Sequence, residues 1–146
     1  MQDNHDSLVC AVSPSEALHR AAARIDQRLD KRLAEFGLTS RQYLLLKCVG
    51  AQDGITQVGL SEMSGIDRST MTDMVSRLVA RNLLVRTKKA SDARAYEVRL
   101  TEAGRQQLAL AMPSVERIDT ALLDKIAPHL RESFLQTIGD LSEWQD

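Results

Sequence analysis

The chain has 146 residues, a formal net charge of −1, a mean hydropathy of −0.25 and only 3% aromatic residues. This length fits a single domain, and no apolar run approaches the roughly 18 residues that a membrane-spanning helix needs. The polar, acidic start of the chain lacks the basic and apolar regions of a signal peptide. We therefore expect a soluble, cytoplasmic protein that does not enter a membrane.

Enzyme and metal signatures are also missing from the sequence. The two cysteines, Cys10 and Cys48, make no disulfide framework, and neither has zinc-site spacing to a histidine. Phosphate-binding, dinucleotide-binding, zinc-protease and nucleophile-elbow motifs do not occur. An enzyme is the alternative of a different class, but His19, the one histidine in a strongly periodic segment, has no evident partner. We expect no catalytic site, metal or cofactor.

The first half of the chain predicts a mobile arm and then helices. Residues 1–12 show no periodicity. Ser13 and Pro14 place a capping residue and an early proline ahead of an amphipathic helix that ends at Gly37. Its apolar face carries Leu18, Ala21, Ala22, Ile25, Leu29, Leu33 and Phe36. A second helix, capped by Thr39 or Ser40 and apolar almost all round, should be central to the core.

A helix-turn-helix follows. A short helix is predicted over Val58–Met63, and the turn 64–66 separates it from a helix that Asp67 caps. That second helix continues to Asn82, which suits a left-handed terminus. One side of it is apolar, with Met71, Met74, Val75, Leu78 and Val79. The other side is polar, with Arg68, Ser69, Thr70, Thr72, Asp73, Ser76 and Arg77.

Two strands and a basic loop come next. Leu83–Thr87 is strand-like, Lys88–Ala95 predicts a polar hairpin loop, and Tyr96–Leu100 alternates between apolar and polar residues. From Ser61 to Leu100 the chain carries eight basic and five acidic residues, a balance of +3, while the remainder balances at −4. A basic segment in an acidic body is an electrostatic footprint typical of DNA binding.

The remaining chain predicts two further helices. Pro113 lies inside the first and should kink or break it, because proline removes a backbone donor and crowds the preceding turn. Pro128 ends this run, and a last helix carries Leu130, Phe134, Leu135, Ile138, Leu141 and Trp144 on its apolar face. The terminal helices could pack on the DNA-binding lobe or form a dimer. We favour a dimer, since a two-fold pair reads two half-sites.

Several motifs resemble those of the multiple-antibiotic-resistance regulators, the MarR family. Residues 92–104 match the family pattern D-x-R-x-x-x-V-x-L-T-x-x-G of a wing and the following helix start. Residues 69–72, with the apolar exit at 83–85, are similar to its recognition helix. The match in order and spacing runs from about Gly37 to Gly104, with Asn82 standing where the family usually has glycine.

The resemblance implies an α+β, mostly helical fold with a winged helix-turn-helix. We divide the chain into an arm (1–12), a dimerisation helix (13–38), a DNA-binding lobe (39–100) and C-terminal dimerisation helices (101–146). The expected function is that of a homodimeric repressor that binds a palindromic operator in double-stranded DNA through a recognition helix (67–82) and a wing (86–98). The predicted DNA contacts are Arg68, Ser69, Thr70, Thr72, Asp73, Arg77, Arg86, Lys88, Lys89 and Arg94.

Five of these contacts raise particular expectations. Arg94 at the hairpin tip could enter the minor groove, while Arg86, Lys88 and Lys89 meet phosphates. Asp73 would be repelled by phosphate unless it accepts from cytosine or orients Arg77 or another neighbour.

Members of the resembled family often bind a small aromatic or anionic effector. The residues that could line such a site here are His19, Arg20, Arg24, Tyr43 and Lys47, with Arg20 or Arg24 pairing a carboxylate. A redox-sensing regulator using Cys10 or Cys48 is one alternative, and a winged-helix protein-interaction module is another. The hydroperoxide-sensing branch of the family places its cysteine inside the first helix, whereas Cys10 precedes that helix here. Cys48 is predicted to be a small buried apolar residue.

Overall fold

The computed structural model describes residues 13–144, apart from the side chains of Ala93 and Arg94. The elements in chain order are α1 (Pro14–Leu33), α2 (Ser40–Ala51), β1 (Ile55–Thr56), α3 (Gln57–Ser64), α4 (Arg68–Ala80), β2 (Leu84–Lys89), β3 (Asp92–Leu100), α5 (Glu102–Leu123) and α6 (Arg131–Ser142). Single-turn 3-10 helices occupy Ala34–Phe36 and Pro128–Leu130. The expected mostly helical α+β class is confirmed. The predicted arm 1–12, which contains Cys10, lies outside the described residues.

Three helices begin at the caps that the sequence indicated. The Ser13 hydroxyl accepts the backbone N–H of Glu16 at 3.2 Å, and Asp67 Oδ1 accepts that of Thr70 at 2.9 Å. Thr39 forms a reciprocal capping box with the residue three positions on, its hydroxyl accepting the Gln42 N–H at 3.2 Å. Each bond satisfies a backbone donor that the first turn of a helix leaves free. These caps fix where α1, α2 and α4 start.

The sheet is antiparallel, with strand order β1-β3-β2. Val98 of β3 pairs with Ile55 on one side and with Arg86 on the other. Side chains directly opposite each other in an antiparallel pair share a face of the sheet. Val98 and Ile55 are buried, so the base of the sheet covers the core.

The predicted hairpin loop over 88–95 is wrong in extent. The turn takes only Ala90 and Ser91, and the strands continue on both sides of it. Lys88 pairs with Tyr96, and Lys89 pairs with Asp92 after a register shift. Polar composition is typical of a loop, but a projecting hairpin needs only backbone pairing and can leave its side chains in solvent.

The core is centred on residues 39–100 and is completed by Leu33, Leu38, Ala111 and Val115 from the flanking segments. Its buried apolar residues are Leu33, Leu38, Tyr43, Leu45, Leu46, Cys48, Val49, Ile55, Leu60, Met71, Met74, Val75, Leu78, Leu83, Leu84, Val98, Ala111 and Val115. Helix α2 supplies five of these residues, as expected of the central element. Helix α6 supplies none, because all of its residues are exposed or half-buried in the protomer.

The predicted break at Pro113 does not occur. Helix α5 is continuous from Glu102 to Leu123, although Pro113 has no N–H to donate. Ala111, Ser114 and Val115 are buried on either side of the proline. This packing holds both halves of the helix in place and offsets the lost hydrogen bond. Within residues 13–144, every helix is too short or too polar to traverse a lipid bilayer.

Candidate nucleic-acid interface

Helix α4 is anchored by one face and offers the other to solvent. Met71, Met74, Val75 and Leu78 are buried against the core. Six residues of the polar face are exposed: Arg68, Ser69, Thr72, Asp73, Ser76 and Arg77. An exposed row of hydroxyls, guanidiniums and one carboxylate supplies donors and acceptors of the kind that contact base edges.

Two hydrogen bonds cap the first turn of α4. The Thr70 hydroxyl donates to Asp67 Oδ2 at 2.6 Å, and the Thr70 backbone N–H donates to Asp67 Oδ1. These bonds lower the pKa of Asp67. Because its proton is already donated and its side chain is half-buried, Thr70 belongs to the cap more than to the exposed polar face.

Two further bonds shape the exposed face of α4. The Thr72 hydroxyl donates to the carbonyl of Arg68 at 2.9 Å, which leaves its oxygen free to accept. Asp73 Oδ2 lies 2.9 Å from Arg77 Nε, and both side chains are exposed. The carboxylate therefore orients a neighbouring guanidinium, the arrangement expected to make Asp73 tolerable near phosphate.

The wing carries the other predicted cations. Arg86 and Lys88 are exposed, whereas Lys89 is half-buried and lines a cleft of about 560 Å³ with Thr56 of β1 and Glu62 of α3. The guanidinium carbon of Arg86 lies 4.6 Å from the centroid of the Tyr96 ring. The Arg94 side chain is outside the described part of the chain.

The base of the wing is held by an ion cluster that sequence reasoning missed. Arg99 pairs with Asp53 in the turn after α2, and Arg99 Nη2 lies 3.2 Å from Glu97 Oε2. These partners raise the pKa of Arg99, the Glu97 hydrogen bond most strongly. Arg99 and Asp53 stand 46 positions apart, so no local pattern could have paired them.

A second junction joins the wing to α5. Thr101 caps α5 by accepting the Gly104 N–H at 2.9 Å, and its hydroxyl donates to the carbonyl of Asn82 at 2.6 Å. Asn82 has a φ of 58°, the left-handed terminus that its side chain predicted. The end of α4, the start of β2 and the start of α5 therefore meet at one point.

Two of the five predicted effector residues share a cleft in the protomer. His19 and Arg20 line a shallow cleft on α1 with Ser15 and Glu16. Arg24 and Lys47 are exposed elsewhere, and Tyr43 is buried at 6% exposure. Burial raises the pKa of Tyr43, and Asp119 and Glu116 add to that rise.

A larger groove of about 950 Å³ lies between the C-terminal half of α1 and the middle of α5. Its charged lining is Arg28, Lys31, Arg32, Glu35 and Arg117, and its other lining residues are Phe36, Leu110, Pro113, Ser114, Ile118 and Ala121. Sequence reasoning did not find this groove. It becomes visible only when α1 and α5 lie side by side.

Comparison with known proteins agrees with this geometry. The MarR family model matches residues 38–96. The transcriptional regulator HosA of Escherichia coli is 32% identical over 101 residues, which cover 69% of this chain and 75% of HosA. The chain belongs to the MarR family. It is a DNA-binding transcriptional regulator with a winged helix-turn-helix, as the motifs at 37–104 indicated.

Two solved structures of transcriptional regulators resemble nearly the whole chain. The repressor CouR, bound to a 23-mer DNA duplex, is 27% identical with a TM-score of 0.84, over 98% of this chain and all of that one. PcaV from Streptomyces coelicolor, in complex with its natural ligand, is 27% identical with a TM-score of 0.76, over 91% and 96% of the two chains. The match to CouR therefore extends beyond the DNA-binding lobe to the terminal helices.

Proposed function

We propose that this MarR-family chain is a homodimeric repressor that binds a palindromic operator in the cytoplasm and is released by a small aromatic or anionic effector. The observation that carries the proposal is the exposed polar face of α4 beside the exposed cations of the wing. CouR, a repressor of the same fold, has been solved on duplex DNA, and PcaV has been solved with its natural ligand.

The interface divides into reading and positioning contacts. The residues that enter the major groove and read base edges are Arg68, Ser69, Thr72 and the Asp73–Arg77 pair. Thr70 acts through the cap, and Asp73 acts through Arg77. Arg86 and Lys88 bind phosphates, Lys89 adds charge at the base of the cleft, and Arg94 reaches the minor groove.

The dimer is formed by α1, α5 and α6. Large apolar side chains are exposed along these helices, in the turn before α6 and just after its end: Leu18, Leu110, Met112, Leu130, Leu135, Ile138, Leu141 and Trp144. The density of exposed apolar residues on α6 is typical of a helix that is buried in an assembly.

Charge complementarity supports the α6 of a second copy as the occupant of the groove between α1 and α5. The groove carries four cations and one carboxylate. Residues 131–144 carry three carboxylates, Glu132, Asp140 and Glu143, against the single cation Arg131. Apolar residues of the groove can take the apolar face of α6 while the charges pair around it.

The effector acts on the spacing of the two recognition helices. A two-fold dimer must place them about 34–36 Å apart to meet successive major grooves. A ligand releases DNA only if it binds a mismatched arrangement better, and a tenfold loss of affinity needs about 1.4 kcal/mol of such preference. His19 and Arg20 on α1 are the predicted effector residues that share a cleft, and Arg20 supplies a cation for a carboxylate.

The two alternatives have less support. Burial raises the pKa of Cys48, so its thiol is poorly disposed to react with oxidants. A protein-docking winged helix would not need exposed cations along its wing.

The test is enrichment of duplexes from a random pool by the full-length chain, followed by affinity measurements at increasing salt. We expect one enriched palindrome and a steep loss of affinity with salt. A pool that stays random, or affinity that does not depend on salt, would contradict the proposal.

A further inference from the structure

We propose that Tyr96 is a positioning residue for DNA binding, because its ring holds the guanidinium of Arg86 in the orientation that meets a phosphate. The inference rests on the DNA interface proposed above. It adds to that interface an uncharged residue that acts through Arg86.

The geometry of the pair is that of a cation over an aromatic face. The guanidinium carbon of Arg86 is 4.6 Å from the ring centroid of Tyr96, inside the range of about 6 Å in which such pairs attract. In the sheet, Arg86 stands opposite Val98 and Lys88 stands opposite Tyr96. Arg86, Lys88 and Tyr96 therefore share one face of the hairpin, with Arg86 diagonal to the ring.

This face is continuous with the one that packs on the helices. At its base, Val98 is fully buried and Leu84 is 2% exposed. Strand β2 contacts α4, and β3 contacts α2 and α3. Farther along the hairpin the same face passes beyond the core, where Arg86 is exposed and Tyr96 is 36% exposed. The pair therefore lies on the α4 side of the sheet and outside the hydrophobic core.

A stacked guanidinium suits a phosphate contact. An unrestrained arginine loses side-chain entropy when it is immobilised on DNA, and holding it in place beforehand reduces that loss. Stacking uses the flat face of the guanidinium and leaves its N–H edge to donate to phosphate oxygens. Tyr96 thus favours DNA binding without touching the nucleic acid.

The experiment measures binding of the full-length chain to a labelled duplex enriched from a random pool by the wild type. Tyr96→Leu removes the π face, and we expect a loss of affinity of about two- to fivefold. Tyr96→Phe keeps the ring and should retain wild-type affinity. In an Arg86→Gln background, Tyr96→Leu should cause no further loss, because the residue acts through Arg86. If Tyr96 had a purely structural role, Tyr96→Leu would lower the affinity in the Arg86→Gln background as well.

Two controls keep the outcomes distinct. Thermal melting shows whether each variant is folded. If Tyr96→Leu does not fold, Tyr96→Thr takes its place, because a β-branched side chain suits an exposed strand. The NMR signals of the Arg86 side chain should show a ring-current shift that Tyr96→Phe retains and Tyr96→Leu loses.

Failure of the inference is separable from failure of the proposed function. If the wild type binds no duplex in a salt-dependent way, the proposed function is wrong. If it binds but Tyr96→Leu matches the wild type, the role of Tyr96 is refuted. An equal loss with and without Arg86, or a loss in Tyr96→Phe, would also refute it.

Discussion

A Cβ atom at Gly104 would lie 2.0 Å from the carbonyl oxygen of Leu83. The first turn of α5 therefore rests directly on the backbone that joins α4 to the wing. The Thr101 N–H also donates to this carbonyl, at 3.1 Å. The close approach gives a physical reason for the glycine that ends the family motif. The threonine is explained by its hydroxyl, which accepts the Gly104 N–H and donates to the carbonyl of Asn82.

Gly104→Ala should destabilise the protein strongly, because the carbonyl of Leu83 is backbone and cannot turn aside. We expect a loss of at least about 2 kcal/mol in the free energy of unfolding, measured by urea denaturation. Gly139→Ala in α6 is the matched control, since its Cβ meets nothing within 4 Å in the protomer. It should be neutral or stabilising by up to about 1 kcal/mol. If both variants changed the free energy of unfolding equally, the close approach at Gly104 would not contribute to stability.

Ile138→Asp should dissociate the dimer without unfolding the protomer. Ile138 is 42% exposed in the protomer, so the charge is harmful only when a partner covers it. Val58→Asp is the control, because Val58 is 43% exposed but lies in the DNA-binding lobe. Sedimentation at micromolar concentration should give a monomer for the first variant and a dimer for the second. If the Ile138→Asp protein remained a dimer, α6 would not be part of the dimer interface.

Arg68 and Thr72 should set sequence preference, whereas Lys88 should not. Replacing either of the first two with alanine should change the preferred site at one position, at a cost of about 1–3 kcal/mol for the original base pair. Lys88→Gln should weaken binding to all duplexes alike and lower the salt slope by about one. Site selection with each variant measures both effects. One shared preferred site for all variants would mean that α4 does not lie in the groove.

Cys48 should be nearly inert in the folded protein. Its burial raises the pKa of the thiol, so less thiolate is present at neutral pH than for a free cysteine. In a Cys10→Ser variant, a thiol reagent at pH 7 should react slowly with the native protein and rapidly after urea unfolding. Fast native reaction would revive the redox-sensing alternative.

Local patterns in the sequence predicted the elements well, because caps and helical periodicity depend on neighbouring residues. Asp67 and the apolar spacing of α4 were enough to place its exposed polar face. Such local patterns could not predict contacts between distant segments, such as the ion pair between Arg99 and Asp53. The break predicted at Pro113 was wrong for the same reason, since burial of the surrounding turn against other helices decides whether α5 stays continuous. The basic groove between α1 and α5 likewise depends on tertiary packing.

The central claim is that two copies of α4 read one palindromic site together. Its most direct test is the sedimentation of the full-length chain with the duplex that it enriches from a random pool. We predict a complex of two chains per duplex on a site whose half-sites are centred about one helical turn apart. A single chain that binds and protects the whole palindrome would contradict the account.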